Sequence, residues 1–128
     1  MKEPLTRILY AEDEPDIQMV ARLALEMVGG FTVEICNNGR EALEKAPEFA
    51  PQLILLDMMM PEMDGVTTLS NIQATPALSG VPVVFMTAKV QPSEVAHFKS
   101  LGAVDVIPKP FDPMTLADAV RKIWDALA

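Results

Sequence analysis

Leu53-Ile54-Leu55-Leu56-Asp57-Met58-Met59-Met60-Pro61 is an apolar run that stops on a carboxylate and opens into a turn. Pro51 breaks the chain just before it, so residues 53–56 read as a short buried strand. A carboxylate placed where a buried strand stops is held rigidly yet faces the carboxyl edge, where open α/β sheets bind ligands. Two more segments end in the same manner: Ile8-Leu9-Tyr10-Ala11 runs into Glu12-Asp13, and Val83-Val84-Phe85-Met86 runs into Thr87. A fourth, Val104-Asp105-Val106-Ile107, leads through Pro108 to Lys109. Three acids, a hydroxyl and an amine then converge on one rim. That set suits a divalent cation and a phosphoryl group.

Outward from these ends, strand-like and helix-like segments alternate five times, the signature of a parallel sheet with helices on both faces. Strands are predicted at about 7–11, 32–36, 53–56, 83–86 and 104–107, and helices at about 15–28, 39–49, 65–73, 92–101 and 113–127. The first helix carries Ile17, Val20, Ala21, Ala24, Leu25 and Val28 at amphipathic spacing, and Gly29-Gly30 stops it. In the last helix Asp112 is expected as the cap and Pro113 as the first helical residue, with Leu116, Ala119, Val120, Ile123, Trp124 and Leu127 as the buried stripe. Trp124 is therefore expected to pack in the core or at an interface, and Cys36, at the end of Val33-Glu34-Ile35-Cys36, to be a small buried hydrophobe.

The chain has 128 residues, room for a single domain over 1–128. Half the residues are hydrophobic, as in a soluble core, and the net charge of -8 argues against nucleic acid as a direct ligand. No apolar run approaches the ~20 residues that span a bilayer, and no signal-peptide core follows Met1. One cysteine excludes an intrachain disulfide and a cysteine metal site. A cytoplasmic location with no membrane contact is the expectation.

Glu12, Asp13, Glu14 and Asp16 crowd into five residues, and the fold brings Asp57 near the first two. Like charges that close are costly unless a cation or lysine neutralises them. Glu14 and Asp16 are explained by the start of the first helix, where the dipole favours negative charge. Glu12 and Asp13 precede it. A hard, oxygen-loving ion such as Mg²⁺ fits, since it needs one or two carboxylates plus waters and phosphate oxygens.

Glu12-Asp13-Glu14, Asp57 with Met60-Pro61 and Met63-Asp64-Gly65, Thr87-Ala88 and Lys109-Pro110-Phe111 resemble, in order and spacing, the receiver domain of two-component response regulators. The resemblance covers essentially the entire chain. It implies a doubly wound, flavodoxin-like α/β fold with strand order 2-1-3-4-5, an order that the handedness and length of the segments do not themselves supply. It implies that Asp57 accepts a phosphoryl group from a phosphohistidine on a sensor histidine kinase or a histidine phosphotransfer protein. Asp13, Asp57 and the backbone carbonyl of Met59 are the implied Mg²⁺ ligands, with Glu12 acting through a water. Thr87 is the implied hydroxyl and Lys109 the implied amine on the phosphoryl oxygens, and Lys109-Pro110 the implied cis peptide. Such a bacterial domain is an interaction switch and not a turnover enzyme, catalysing only its own phosphorylation and dephosphorylation. Its output is expected through another protein, or a domain outside this chain, as a monomer or a phosphorylation-dependent dimer.

Two departures from the family pattern stand out. Position 12 is Glu where Asp is frequent, adding one methylene of reach. Val106 occupies a position where the family usually carries Tyr or Phe, and Val has no ring to swing. The signal is then expected to travel through the loop after Thr87 and the fourth helix. Met59 and Lys89 are expected at the mouth of the site, the first hindering the hydrolytic water and the second touching phosphoryl oxygens.

Other readings fit less well. A Mg²⁺-dependent phosphatase of the haloacid-dehalogenase type wants an acid where Met59 stands, and a flavodoxin would not place Glu12-Asp13-Glu14 in its phosphate loop. A receiver-like module that binds partners without phosphorylation remains open. His97 has no partner at metal spacing and reads as a surface or packing residue, and Met58, Met59, Met60 and Met63 as strand-end packing and loop filling.

Overall fold

Burial along the strands follows their composition. All five residues of Leu53–Asp57 and of Val83–Thr87 are buried, as central parallel strands covered on both faces require. The structure is a computed structural model that describes residues 3–127. Its strands are β1 (Arg7–Ala11), β2 (Thr32–Cys36), β3 (Leu53–Asp57), β4 (Val83–Thr87) and β5 (Asp105–Pro108). They alternate with the helices α1 (Pro15–Leu23), α2 (Gly39–Phe49), α3 (Gly65–Ala74), α4 (Pro92–Ser100) and α5 (Leu116–Ala126). The five strands form one parallel sheet in the order β2-β1-β3-β4-β5, as expected.

Period-two alternation divides the core into two layers. Ile8, Tyr10, Leu53, Leu55, Val84 and Met86 pack against Ala21 and Leu25 on one side of α1 and its extension, and against Leu116, Val120 and Trp124 of α5. Leu9, Ala11, Ile54, Leu56 and Phe85 face Ala42 and Ala46 of α2, Leu69 and Ile72 of α3 and Phe98 of α4. Cys36 is fully buried, and that burial pushes its thiol up to about 12. Trp124 lies in the core and its indole N–H donates to the Glu3 carbonyl at 3.0 Å.

Several elements depart in detail from the sequence reading. The first helix does run to Val28, but Ala24–Val28 is a π-helical turn, closed where the Gly29 N–H donates to the Ala24 carbonyl at 3.2 Å. Gly29 approaches α5 so closely that a Cβ there would stand 2.8 Å from the Ala117 methyl. Residues 113–115 are a turn, and α5 begins at Leu116. Asp112 still organises that start: its carboxylate accepts from the Met114 N–H at 2.8 Å and its carbonyl from the Leu116 N–H at 3.0 Å. Thr115 (φ -116°, ψ -5°) is the N-cap residue of α5, and Ala117 is buried with Leu116, Val120 and Trp124, while the expected stripe residues Ala119, Ile123 and Leu127 are only partly buried. β5 starts one residue late, at Asp105, while β3 and β4 each gain a residue and so include Asp57 and Thr87.

Candidate functional site

Parallel register carries four strand ends to one rim. Ala11 pairs with Leu56, Asp57 with Met86, and Thr87 with Pro108, so Glu12, Asp57, Thr87 and Lys109 all emerge within a residue of the same edge. The ladder continues past β1, since the Glu12 N–H donates to the Cys36 carbonyl at 2.9 Å. The loop after β3 is drawn back to the sheet by the Gly65 N–H, which donates to the Met58 carbonyl at 3.0 Å. A side chain at Gly65 would press on the Asp57 carbonyl at 2.9 Å, so this position needs glycine.

The Lys109 ammonium is the hub. Nζ donates to Asp57 Oδ1 at 2.9 Å and to Glu12 Oε1 at 2.9 Å. Burial works against the lysine's charge, but the hydrogen bonds and negative charges of Asp57 and Glu12 outweigh it and raise the amine above its ordinary range. Glu12 is fully buried, and its other hydrogen bonds come from the Tyr10 hydroxyl to Oε1 at 3.1 Å and the Glu14 N–H to Oε2 at 3.2 Å. Asp57 is 4 % exposed, and among the described residues no hydrogen bond reaches its Oδ2.

Asp13 completes an acidic cluster: one carboxylate oxygen from each of Glu12, Asp13 and Asp57 lies within 4.8 Å of the others. Three acids against one lysine leave negative charge in surplus, and all the donors are hard oxygens. The set fits a small divalent cation, which would complete the charge balance. Asp13 and Asp57 retain free lone pairs for direct contact, while Glu12 already accepts three hydrogen bonds.

Thr87 is 5 % exposed; its hydroxyl accepts from the Lys89 N–H at 3.1 Å and its carbonyl from the Lys109 N–H at 3.0 Å. The Lys109-Pro110 peptide is cis. Lys89 is exposed on the loop after β4. Val106 lies opposite Phe85 in register, half-buried, and Phe85 packs edge-on against Phe98 of α4 with ring centroids 5.5 Å apart. The methionines divide: Met58 and Met60 are buried as expected, but Met59 is 76 % exposed and fills nothing. His97 is exposed and stacks obliquely near Phe98. Glu14 occupies the N-cap position of α1 but makes no side-chain cap hydrogen bond.

Tyr10 is the site residue the sequence reading passed over. The available signal was its spacing, two residues before Glu12 on one strand and hence on the same face, together with the need of a buried phenol for a partner.

The fold and rim define an α/β domain that gathers acids around an aspartate–lysine pair. A family model described as the response regulator receiver domain matches residues 8–121, and the chain belongs to that family. It is thus a receiver domain of two-component signal transduction. Among curated relatives, the transcriptional regulatory protein CpxR homolog of Haemophilus influenzae is 36% identical over 119 residues, covering 93% of this chain and 50% of that protein. DNA-binding response regulator MtrA of Mycolicibacterium smegmatis is 36% identical over 115 residues, covering 90% of this chain and 49% of that one. The chain spans about half the length of these relatives. Among solved structures, the chemotaxis response regulator CheY4 of Vibrio cholerae superposes with a TM-score of 0.85 at 27% identity, covering 93% of this chain and 98% of that one. Among the described residues no helix is long and apolar enough to cross a membrane.

Proposed function

We propose that Asp57 is the phosphoacceptor of this receiver, and that phosphorylation there switches the domain's interaction with an output partner. The observation that carries this reading is the Lys109 ammonium, 2.9 Å from both Asp57 Oδ1 and Glu12 Oε1. An Asp57 carboxylate oxygen forms a bond to phosphorus as the P–N bond of a phosphohistidine breaks, and the electron pair leaves on the imidazole. Phosphoryl transfer of this kind needs in-line positioning and charge neutralisation more than covalent assistance. Asp13, Asp57 and the Met59 backbone carbonyl would hold Mg²⁺, with Glu12 acting through a water, and the ion would supply positive charge against the phosphoryl oxygens. Lys109 pairs with the phosphoryl group as it arrives, and the Thr87 hydroxyl turns from the Lys89 N–H to a phosphoryl oxygen. β3 and β4 hold Asp57 and Thr87 in place, and burial limits access of water.

The added charge of about -1.5 to -2 biases the loop after Thr87. With Val106 unable to swing a ring, Phe85 on the strand of Thr87 and its edge contact with Phe98 offer the connection to α4. Met59 and Lys89 sit where they can slow and modify loss of the phosphoryl group. The donor is a sensor histidine kinase or a histidine phosphotransfer protein in the cytoplasm. The reader of the switched state is another protein or an attached output domain, engaged by the monomer or by a dimer formed on phosphorylation. The domain is no turnover enzyme.

Incubation with Mg²⁺ and a small phosphodonor tests the reading by intact mass. Wild type gains one phosphoryl group and Asp57→Asn gains none; equal gain on both overturns it. No gain on wild type would favour a module that works without phosphorylation.

A further inference from the structure

Tyr10 is the single tyrosine of the chain and the largest of its fully buried side chains. Its ring lies between Ile35 and Leu55 in register, in the layer that α1 and α5 cover. A phenylalanine would fill that space with no polar atom to satisfy. The hydroxyl instead donates to Glu12 Oε1 at 3.1 Å, the same oxygen that accepts from Lys109 at 2.9 Å. Glu12 is itself fully buried, and an ionised carboxylate there is tolerable only while donors surround it. In the reading above, Lys109 turns toward the arriving phosphoryl group. The Tyr10 hydroxyl is then the donor left on Oε1, and the Glu14 N–H the donor on Oε2.

We propose that Tyr10 is a positioning residue of the phosphoryl-transfer site: its hydroxyl fixes the long Glu12 side chain and keeps that carboxylate satisfied when Lys109 moves to the phosphoryl group. This rests on the assignment of Glu12, Asp13 and Asp57 as a Mg²⁺-assisted acceptor site. Glutamate has one more rotatable bond than the aspartate frequent at this place, so its carboxylate needs a further anchor to present one oxygen to a bridging water. Partners of this kind, one shell beyond a metal, typically tune affinity by about 10–100-fold.

The test measures Mg²⁺ affinity by calorimetry in wild type, Tyr10→Phe, Glu12→Asp and the double variant. Tyr10→Phe is expected to bind Mg²⁺ about tenfold more weakly while remaining cooperatively folded. In the Glu12→Asp background the shorter side chain withdraws from the hydroxyl, so Tyr10→Phe should add less than about twofold. A second readout needs no variant: in wild-type protein labelled on tyrosine alone, the ring signals should shift along the same Mg²⁺ isotherm. Unchanged affinity in Tyr10→Phe, independent effects in the double variant, or a tyrosine signal blind to Mg²⁺ would each overturn the role of Tyr10 if wild type binds Mg²⁺ and takes phosphate on Asp57. Wild type that does neither defeats the site assignment, and this inference with it.

Discussion

The two edges of the sheet bury polar groups in opposite ways. At the amino edge, Gln52 Oε1 accepts from the Thr6 N–H at 2.7 Å, the Thr6 hydroxyl at 3.0 Å and the Arg7 N–H at 2.8 Å. Its amide Nε2 donates to the Pro4 carbonyl at 3.1 Å. That cluster is neutral and closed. At the carboxyl edge Glu12 and Asp57 share one ammonium, Asp13 is clustered beside them, and charge is left over. The Gln52 cluster has its donors and acceptors matched, whereas the acidic cluster keeps an excess of negative charge that a cation can balance.

The sharpest way to break this contrast is Lys109→Met. It strands two nearly buried carboxylates, so stability without Mg²⁺ should fall by about 3 kcal/mol, and added Mg²⁺ should restore part of it. Denaturant midpoints with and without the ion check this; a loss that Mg²⁺ leaves untouched would contradict the picture of a cation-hungry edge. Gln52→Ala should cost about 2 kcal/mol, since buried backbone donors lose their acceptor. Here the loss should not respond to Mg²⁺, and phosphorylation should proceed at the wild-type rate. Asp13→Asn is the converse case. Relieving like-charge repulsion should raise ion-free stability by on the order of 1 kcal/mol while abolishing stabilisation by Mg²⁺.

The smallest effect is at high pH. Cys36, Tyr10 and Lys109 all have proton affinities raised by the fold, so the stability they contribute is complete below their unfolded pKa values and lost as pH rises above them. Those unfolded values are about 8.5, 10 and 10.4, so stability should begin to fall near the first. Cys36→Ala should postpone that onset to about pH 10, where Tyr10 and Lys109 take over. An unchanged onset in urea titrations would show that the thiol is not the group responsible.

Much of the carboxyl edge was legible because its signal is local: apolar runs that end abruptly in Glu12, Asp57 and Thr87 leave little choice of strand end. The amino edge was not, since Gln52 beside Pro51 looks like any polar loop residue until Pro4, Thr6 and Arg7 are folded around it. Tyr10 was hidden for a related reason, as an aromatic residue in a strand reads as packing and its hydroxyl as incidental. Helix ends were read less well than strand ends. Gly29-Gly30 announced a stop but carried no trace of the π turn before it, after which Gly29 comes up close to Ala117. Pro113 announced a start that Thr115 delays. The methionines misled by composition, where only geometry separates Met59 from Met58 and Met60.

Because every strand points the same way, each chain segment leaving the sheet does so beside the reactive groups, and each segment re-entering it does so on the far side. The re-entrant stretch through Ser79 and Gly80 is exposed, with open space around the glycine. Residues added there would alter the outline of the molecule and lie on the opposite side of the sheet from Glu12, Asp57 and Lys109. Insertions at this one turn can therefore vary the far side of the domain while the Gln52 cluster beside it and the opposite rim keep their geometry.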